Sequence, residues 1–288
     1  MILKLNTAFK NIKYSDKDHR YFTSDGEELI SVTKLISRLK EPFNTNYWST
    51  IKSYQFSGCT TRQKWIKGGF DPTCFYADSV LVNLNEDHSH LPVTPEIVAA
   101  QWKIDSLCGT IRGTYAHQYL ENLENRLLDK PQVIMPPGLT TIQAISYIRS
   151  IDVVDKLCNQ FVEEYDYLIP VALEYKVGDV KMGIAGTFDR LYYNSKVEEL
   201  QIWDFKTDKK IAADNKYQKL RIFDLPDAEL VKYGIQTSFY KKMIVDNTDL
   251  QIGQSYIAHI NIKQESLDIH PVQDYTQEIA KIENWRNI

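Results

Sequence analysis

The sequence predicts an α+β protein with a central mixed β-sheet flanked by helices and with an N-terminal helical part. Two observations support this fold class. Segments with helical spacing of apolar residues fill most of the stretch from residue 94 to 165, and β-rich segments separated by turn residues begin near residue 171. The resulting order of helices, three strands, a helix and a strand is typical of an α+β domain.

The N-terminal part is predicted to contain a hairpin within residues 14–30, because a polar turn at 23–26 separates two apolar pairs. Ser31 precedes apolar residues at helical spacing, so we expect it to be the N-cap of a helix that ends at Pro42. Residues 43–92 mix aromatic, polar and glycine residues, and we expect short helices and loops there.

Three helices are predicted next, over about 95–108, 113–128 and 140–165. The third is strongly amphipathic, and its apolar residues are expected to face the core together. That apolar stripe comprises Ile145, Ile148, Ile151, Val154, Leu157, Phe161 and Val162.

Strands and one more helix follow. Three consecutive strands are predicted over 171–177, 182–192 and 200–207, with turns at 178–179 and 194–196. A helix over 228–246 and a final strand over 251–262 complete the sheet. We expect two domains, with a hairpin and helical or arch region at 1–110 and a catalytic core at 111–288.

Composition excludes several classes of protein. The chain has 288 residues, a net charge of −4, 43% hydrophobic and 25% charged residues, which is ordinary globular usage. No apolar run of 18 residues predicts a membrane span, and residues 1–10 lack the features of a signal peptide. We therefore expect a cytoplasmic protein without a membrane partner. The content of Asn, Ile, Lys and Tyr fits an AT-rich genome, such as that of a bacterium or a phage.

The candidate site begins with an acid and an amine on one strand. Asp204 and Lys206 are two residues apart and share a strand face. Such a pair suits a metal-bound phosphate, because the carboxylate holds the cation and the ammonium contacts a phosphate oxygen; the alternative is a surface ion pair. A hairpin centred between residues 196 and 197 sets Asp189 opposite Asp204, and two opposed carboxylates repel unless a cation lies between them.

Two helices supply further candidates. Gly113, His117 and Glu121 are spaced four residues apart and share one helix face. An imidazole on that face can bind a divalent metal. On the later helix, Gln236 and Tyr240 belong to a polar stripe that is predicted to lie opposite the apolar one.

Together these motifs resemble the PD-(D/E)XK nuclease superfamily, specifically its RecB-like exonuclease branch, which includes CRISPR-associated exonucleases and the mitochondrial genome maintenance exonuclease. The pattern there is a helical G-T-x-x-H-x-x-x-E, an early strand Glu, G-x-x-D, D-x-K-T and Q-x-x-x-Y. The resemblance covers about residues 113–240. The matching residues are Gly113, Thr114, His117, Glu121, Glu174, Gly186, Asp189, Asp204, Lys206, Thr207, Gln236 and Tyr240.

The resemblance implies a restriction-endonuclease-like fold and a role for each matching residue. The implied ligands of one or two Mg²⁺ or Mn²⁺ ions are His117, Asp189, Asp204 and the carbonyl of Phe205, and Lys206 is implied to be the catalytic lysine. Members of the branch with an iron–sulfur cluster carry cysteines after the Q-x-x-x-Y helix. None follows here, so we expect no iron–sulfur cluster.

Glu174 is the early strand carboxylate and an additional catalytic candidate. A tight turn at 178–179 would pair it near Gly183, roughly 20 Å from Asp189 at the rise of a strand, unless a bulge shortens that separation. Thr207, Gln236 and Tyr240 are implied to position the lysine or the nucleic acid strand.

The implied substrate is DNA, single-stranded or with free ends, cut to leave 5′-phosphates. Basic residues that are expected to contact phosphate, or alternatively to form a solubilising surface, are Arg112, Lys209, Lys210, Lys216, Lys219 and Arg221. Aromatic residues between 43 and 76 are expected either to join the core or to form an arch that admits a free strand end.

Three functions compete at this point. The first is a metal-dependent DNA exonuclease. The second is a structure-specific or restriction-like endonuclease of the same superfamily, and the third is an inactive nucleic-acid-binding scaffold. The intact set of Asp189, Asp204, Lys206 and His117 argues against the third. The sequence identifies no protein partner.

Overall fold

The computed structural model describes residues 1–56, 94–127, 129–215, 218–221, 224–282 and 285. The chain divides into two compact units. The first comprises Met1–Glu41, His117–Lys130 and Lys156–Ile288, and the second comprises Pro42–Ala116 and Pro131–Asp155. The division predicted between residues 110 and 111 stays a prediction.

The first unit contains all the strands below. In chain order the elements are α1 (Ile2–Ala8), β1 (Ile12–Ser15), β2 (Arg20–Thr23), β3 (Glu28–Ser31), α2 (Val32–Leu39), α3 (Thr45–Phe56), α4 (Pro95–Glu124), α5 (Thr141–Glu164), β4 (Leu168–Asp179), β5 (Ile184–Asn194), β6 (Glu199–Lys206), α6 (Glu229–Asn247), β7 (Tyr256–Asn261), β8 (Ser266–Pro271) and α7 (Thr276–Ala280). Within the described ranges, no helix is both long and apolar enough to cross a bilayer.

Over the described part of the chain, the strands form one mixed eight-stranded sheet, so the predicted α+β class with a mixed sheet is confirmed. β5 is antiparallel to β4 along one edge, and its other edge pairs with β3 in parallel and with β6 in antiparallel orientation. β6 continues in parallel to β7, and β8 closes that side antiparallel to β7. Apolar residues of α6 pack with those of β4 to β6 in the core.

The hairpin and the helix start predicted for residues 14–42 are confirmed, although α2 ends at Leu39 rather than at Pro42. Most of the short helices and loops predicted for residues 43–92 fall outside the described residues. The hairpin forms between β2 and β3, and β1 adds a third antiparallel strand that the sequence pattern did not indicate. The hydroxyl of Ser31 accepts a hydrogen bond from the amide of Lys34 at 3.1 Å, so Ser31 is the N-cap of α2. The buried residues of this helix are Val32, Leu35, Ile36 and Leu39, at the predicted spacing.

The two helices predicted over 95–108 and 113–128 are one continuous helix, α4. Gly109 lies inside it with no other atom within 4 Å of the position that a Cβ would take, so this glycine marks no break. The third helix, α5, has the predicted bounds to within one residue. Its stripe is only partly buried, however, because Ile145 and Ile148 are 47% and 49% exposed. The periodicity of the sequence identifies the apolar face of a helix, but it does not show how much of that face packs against other elements.

The turn between β4 and β5 lies later than predicted. Gly178 and Asp179 are not turn residues; they pair with Ala185 and Ile184. The turn occupies residues 180–183, where the Asp179 carboxylate accepts a hydrogen bond from the amide of Met182 at 3.0 Å. This difference changes the register of the whole β4–β5 hairpin.

The register of the next hairpin is confirmed. Arg190 pairs with Trp203 and Asn194 with Glu199, so the hairpin is centred between residues 196 and 197. The strand predicted over 251–262 is β7, but it is not the last one. β8 and α7 follow it and were not predicted, although Leu267 and Ile269 of β8 alternate with polar residues as in a half-buried strand.

Candidate active site

Two buried carboxylates meet where the β5–β6 ladder ends. The register continues one step beyond the Arg190–Trp203 pair and sets Asp189 opposite Asp204. Their residues are only 7% and 1% exposed. The amide of Phe205 donates a hydrogen bond to Oδ2 of Asp189 at 2.7 Å, which fixes one carboxylate in place.

Asp204 is held by an amine and an amide. Its buried Oδ2 is in direct contact with the ammonium of Lys206 in a charge-assisted ion pair. The side chain of Gln236 donates to Oδ1 at 3.3 Å. Burial, followed by the charge of Asp189, raises the pKa of Asp204 to about 6, although Lys206 acts in the opposite direction. The carboxylate is therefore mostly ionised at neutral pH.

The ammonium of Lys206 remains charged. Burial lowers its pKa, but Asp204 and then Asp189 outweigh burial and raise the pKa above its ordinary value. The side chain is 20% exposed, and Nζ lies 5.1 Å from the ring centroid of Tyr233. The site thus keeps a positive charge within reach of solvent.

His117 reaches the same place from α4. Its Nδ1 lies 3.2 Å from Oε1 of Glu174 and 3.6 Å from Oδ2 of Asp189, and its Nε2–H donates to the carbonyl of Phe205 at 3.1 Å. Burial lowers the pKa of His117, but Asp189 and Glu174 together outweigh burial and raise it to about 9. At neutral pH the metal-free site therefore holds a protonated imidazole between two carboxylates.

The predicted position of Glu174 is wrong in register. Pairs of Leu173 with Arg190 and of Tyr175 with Phe188 flank it, so Glu174 lies across from Asp189 rather than roughly 20 Å along the sheet. The later turn at 180–183 causes this difference. Glu174 also has φ of +45°, the left-handed region that non-glycine residues seldom adopt, which interrupts the strand pairing at the site.

Arg190 is a residue that sequence reasoning missed. Its side chain is fully buried and donates to Glu124 at 2.6 Å, to Glu174 at 2.9 Å and to the carbonyl of His117 at 3.1 Å. On this part of α4, the carboxylate that pairs with the buried arginine is therefore that of Glu124, three residues beyond Glu121. An arginine in the middle of an apolar strand was the available signal, because a buried guanidinium requires several acceptors.

Gln236 and Tyr240, the two motif residues of the polar stripe on α6, are buried. Gln236 and Tyr240 are 8% and 2% exposed, and the Gln236 amide donates to both Asp204 and the Tyr240 hydroxyl at 3.3 Å. A Cβ at Gly186 would lie 2.6 Å from Cε1 of Tyr240. The glycine is thus required for the close approach of the tyrosine ring to β5.

A cleft of about 490 Å³ lies beside the site. Gln236, Tyr233 and Asp208 line it on the side of the candidate centre, and the Tyr233 hydroxyl is hydrogen-bonded to the Asp208 carboxylate. Four lysines and two acidic residues are among its lining residues. These are Lys40, Lys209, Lys210, Lys232, Asp208 and Glu229.

The other predicted phosphate contacts are placed differently. Lys219 and Arg221 form ion pairs with Asp224 and Glu41, at 2.6 and 3.0 Å. Arg112 lies in the second unit, with Nη1 at 3.5 Å from the Ser150 hydroxyl. Thr207 directly follows β6, and Lys216 lies outside the described residues.

The predicted aromatic arch is described only in its first part. Phe43, Tyr47 and Trp48 are 64%, 43% and 43% exposed, so these three do not belong to a core. The aromatic side chains from residue 54 to 76 lie outside the described residues.

No protein-family model matches the sequence, and a search of curated proteins found no match. The functional proposal therefore depends on the geometry of the site.

Proposed function

We propose that the chain is a metal-dependent nuclease that hydrolyses phosphodiester bonds of DNA as an exonuclease and leaves 5′-phosphates. The observation that carries this proposal is the convergence of the buried Asp189 and Asp204 with the partly exposed Lys206 and His117 in one cluster. Opposed carboxylates with a charged amine beside them are costly for a fold unless they serve binding or catalysis.

The donor set fits a hard divalent cation. The ring of His117 and the carboxylates of Glu174 and Asp189 offer ligand atoms within 4.8 Å of one another, and the Phe205 carbonyl lies against the same ring. The oxygen-rich set with one imidazole suits Mg²⁺ or Mn²⁺. Such an ion, when bound, would lower the pKa of a water and stabilise charge on the scissile phosphate.

The Asp204 carboxylate adds negative charge to this site, and its Oδ2 is paired with the ammonium of Lys206. Gln236 holds the other oxygen of that carboxylate. Arg190 orients Glu174 and the backbone of His117 through two further hydrogen bonds. The ligands are therefore held by the protein before an ion binds.

Lys206 is the residue that acts on the phosphate. It stays protonated, and its partly exposed ammonium can stabilise negative charge that develops on a phosphate oxygen. Lys40, Lys209 and Lys210 in the cleft beside Gln236 support a path for a nucleic acid strand, because phosphates favour cationic groups. Lys232 in the same cleft is paired with Asp227 and Glu229.

The test uses end-labelled linear single-stranded and duplex DNA and circular single-stranded DNA, each with Mg²⁺, Mn²⁺ or EDTA. Lys206→Ala should lower the rate by at least about 10²-fold, because it removes a charge that acts on the transition state. Lys181→Ala is the matched control, since Lys181 is exposed in the β4–β5 turn. The control should cut at the parental rate.

Metal-dependent loss of linear DNA, with circles intact and with Lys206→Ala inactive, supports the exonuclease. Cutting of circles would instead establish an endonuclease at the same site. DNA binding without cleavage under any metal, or cleavage by Lys206→Ala at the parental rate, contradicts the proposed mechanism.

A further inference from the structure

We propose that His259, Asp268 and His270 form a second metal site, for a transition metal ion of the Zn²⁺ class, on the β7–β8 hairpin. His259 is directly opposite Asp268 in the register, and His270 is two residues further along β8 and so on the same face. Each side chain offers a ligand atom, and the three atoms lie within 4.8 Å of one another. This inference does not depend on the proposed nuclease activity.

The hydrogen bond of His259 leaves its Nδ1 open towards Asp268. Its Nε2 lies 2.8 Å from the carbonyl of Asp208, and because a carbonyl can only accept, Nε2 carries the proton. In the neutral imidazole Nδ1 is then a lone-pair acceptor, and it lies 3.7 Å from Oδ2 of Asp268, another acceptor. Two facing acceptors repel, and a cation between them turns the repulsion into two favourable contacts.

The same tautomer is typical of metal-binding histidines, in which one ring nitrogen donates to a backbone carbonyl and the other binds the ion. Asp268 is oriented by a contact as well, since the side-chain amide of Asn261 donates a hydrogen bond to its Oδ2 at 3.2 Å. On His270, the buried Nε2 has no hydrogen-bond partner among the described residues. His259 and Asp268 are thus oriented by hydrogen bonds, as metal ligands usually are, and His270 keeps a ring nitrogen that can bind an ion.

The donor chemistry selects the ion. Two imidazoles and one carboxylate favour Zn²⁺ over Mg²⁺, which prefers oxygen ligands. Tetrahedral bonds of about 2.1 Å place ligand atoms about 3.4 Å apart, so shifts of about 1 Å close the site. Asp268 is 36% exposed and leaves an entry path and a position for water, whereas His259 is 3% exposed.

The site is connected to the loop after the candidate catalytic lysine. His259 is in register with Lys206 on the neighbouring strand, and the carbonyl that fixes its ring belongs to Asp208, two residues beyond Lys206. Asp208 also lines the lysine-rich cleft. A metal ion at His259 would therefore hold the start of this loop against β7.

The experiment measures the binding of Zn²⁺ to the full chain after treatment with EDTA and dialysis. Isothermal titration calorimetry gives the stoichiometry and affinity. In a parallel titration Co²⁺ replaces Zn²⁺, because its visible d–d absorption reports the ligands around the ion. His270→Ala removes one ligand from this site. His19→Ala is the matched control, because it removes an exposed imidazole from the β1–β2 region. His117→Gln removes the imidazole of the other candidate centre, so the two sites are distinguished. Far-UV circular dichroism checks that each variant is folded.

We expect one Zn²⁺ equivalent that is retained in His19→Ala and His117→Gln and weakened at least tenfold in His270→Ala. If His270→Ala does not fold, Asp268→Asn replaces it with the same expectation, because the Asp268 side chain is partly exposed. Absence of Zn²⁺ binding by His117→Gln overturns the proposal, and so does parental binding by His270→Ala. Either result would mean that a proton rather than a metal ion separates His259 from Asp268.

Discussion

The raised pKa of His117 makes the stability of the metal-free protein depend on pH. The imidazole lies between Glu174 and Asp189, and its pKa is about 9 in the folded chain against 6.5 for an ordinary histidine. Because the folded value is the higher one, protonation stabilises the native state fully below pH 6.5. That stabilisation is lost as the pH rises through 9.

The expected size follows from the same two values. Each tenfold change in a protonation equilibrium corresponds to about 1.4 kcal/mol, so the rise from 6.5 to about 9 contributes about 3 kcal/mol to the free energy of unfolding. The side chain is 26% exposed, which leaves most of this interaction unscreened. In His117→Gln the contribution is absent at every pH.

The assay is urea unfolding in EDTA from pH 6.5 to 9.5, for the parent and His117→Gln. The difference in unfolding free energy between them should fall by about 3 kcal/mol over this range. Titrating groups that do not interact with His117 are common to both proteins and cancel in the difference, whereas Glu174 and Asp204, whose pKa values His117 lowers, cancel only in part. Parallel pH profiles, or an imidazole that titrates near 6.5 by NMR, would refute the reasoning.

Two further predictions concern the packing around the site. Gly186→Ala brings a Cβ to 2.6 Å from the ring of Tyr240 and should lower the free energy of unfolding by about 1–3 kcal/mol, measured in urea; an unchanged midpoint would show that the ring moves freely. Glu124→Gln removes the charge that pairs with the buried Arg190 and should cost about 3 kcal/mol in the same assay. Glu121→Gln, the control on the same helix, should change stability by less than about 0.5 kcal/mol, and equal costs would contradict the assigned role of Glu124.

Residues with a strict geometric relation were predictable from the sequence. The loop between the second and third predicted strands determined the register of Asp189 and Asp204, because an antiparallel hairpin has a single symmetry point. The spacing of apolar residues after Ser31 likewise determined which face of α2 is buried. These predictions hold because each depends on one local feature of the sequence, the centre of a hairpin or the spacing of residues on a helix.

Relations that depend on where a turn falls were not predictable to the same degree. Gly178 and Asp179 have turn chemistry but are strand residues, and the shift of the turn to 180–183 moved Glu174 next to Asp189. Similarly, the spacing of polar residues on α6 placed Gln236 opposite the apolar stripe but did not indicate that its side chain is buried. Gln236 is buried there because Asp204 supplies its hydrogen-bond partner from a distant strand, and no local pattern records that contact.

The charge balance of the cluster connects the structure to the proposed ion. Four carboxylates contribute four negative charges and two permanent cations offset half of them; the carboxylates are Glu124, Glu174, Asp189 and Asp204, and the cations are Arg190 and Lys206. A proton on His117 reduces the remaining imbalance from two charges to one. A divalent cation in place of that proton would cancel both remaining charges of these residues, which supports the proposed ion. Glu121 and Asp208, which act on Glu124 and Lys206, are outside this count. The affinity for Mg²⁺ or Mn²⁺ should therefore rise with pH up to about 9, as the proton and the ion compete for His117.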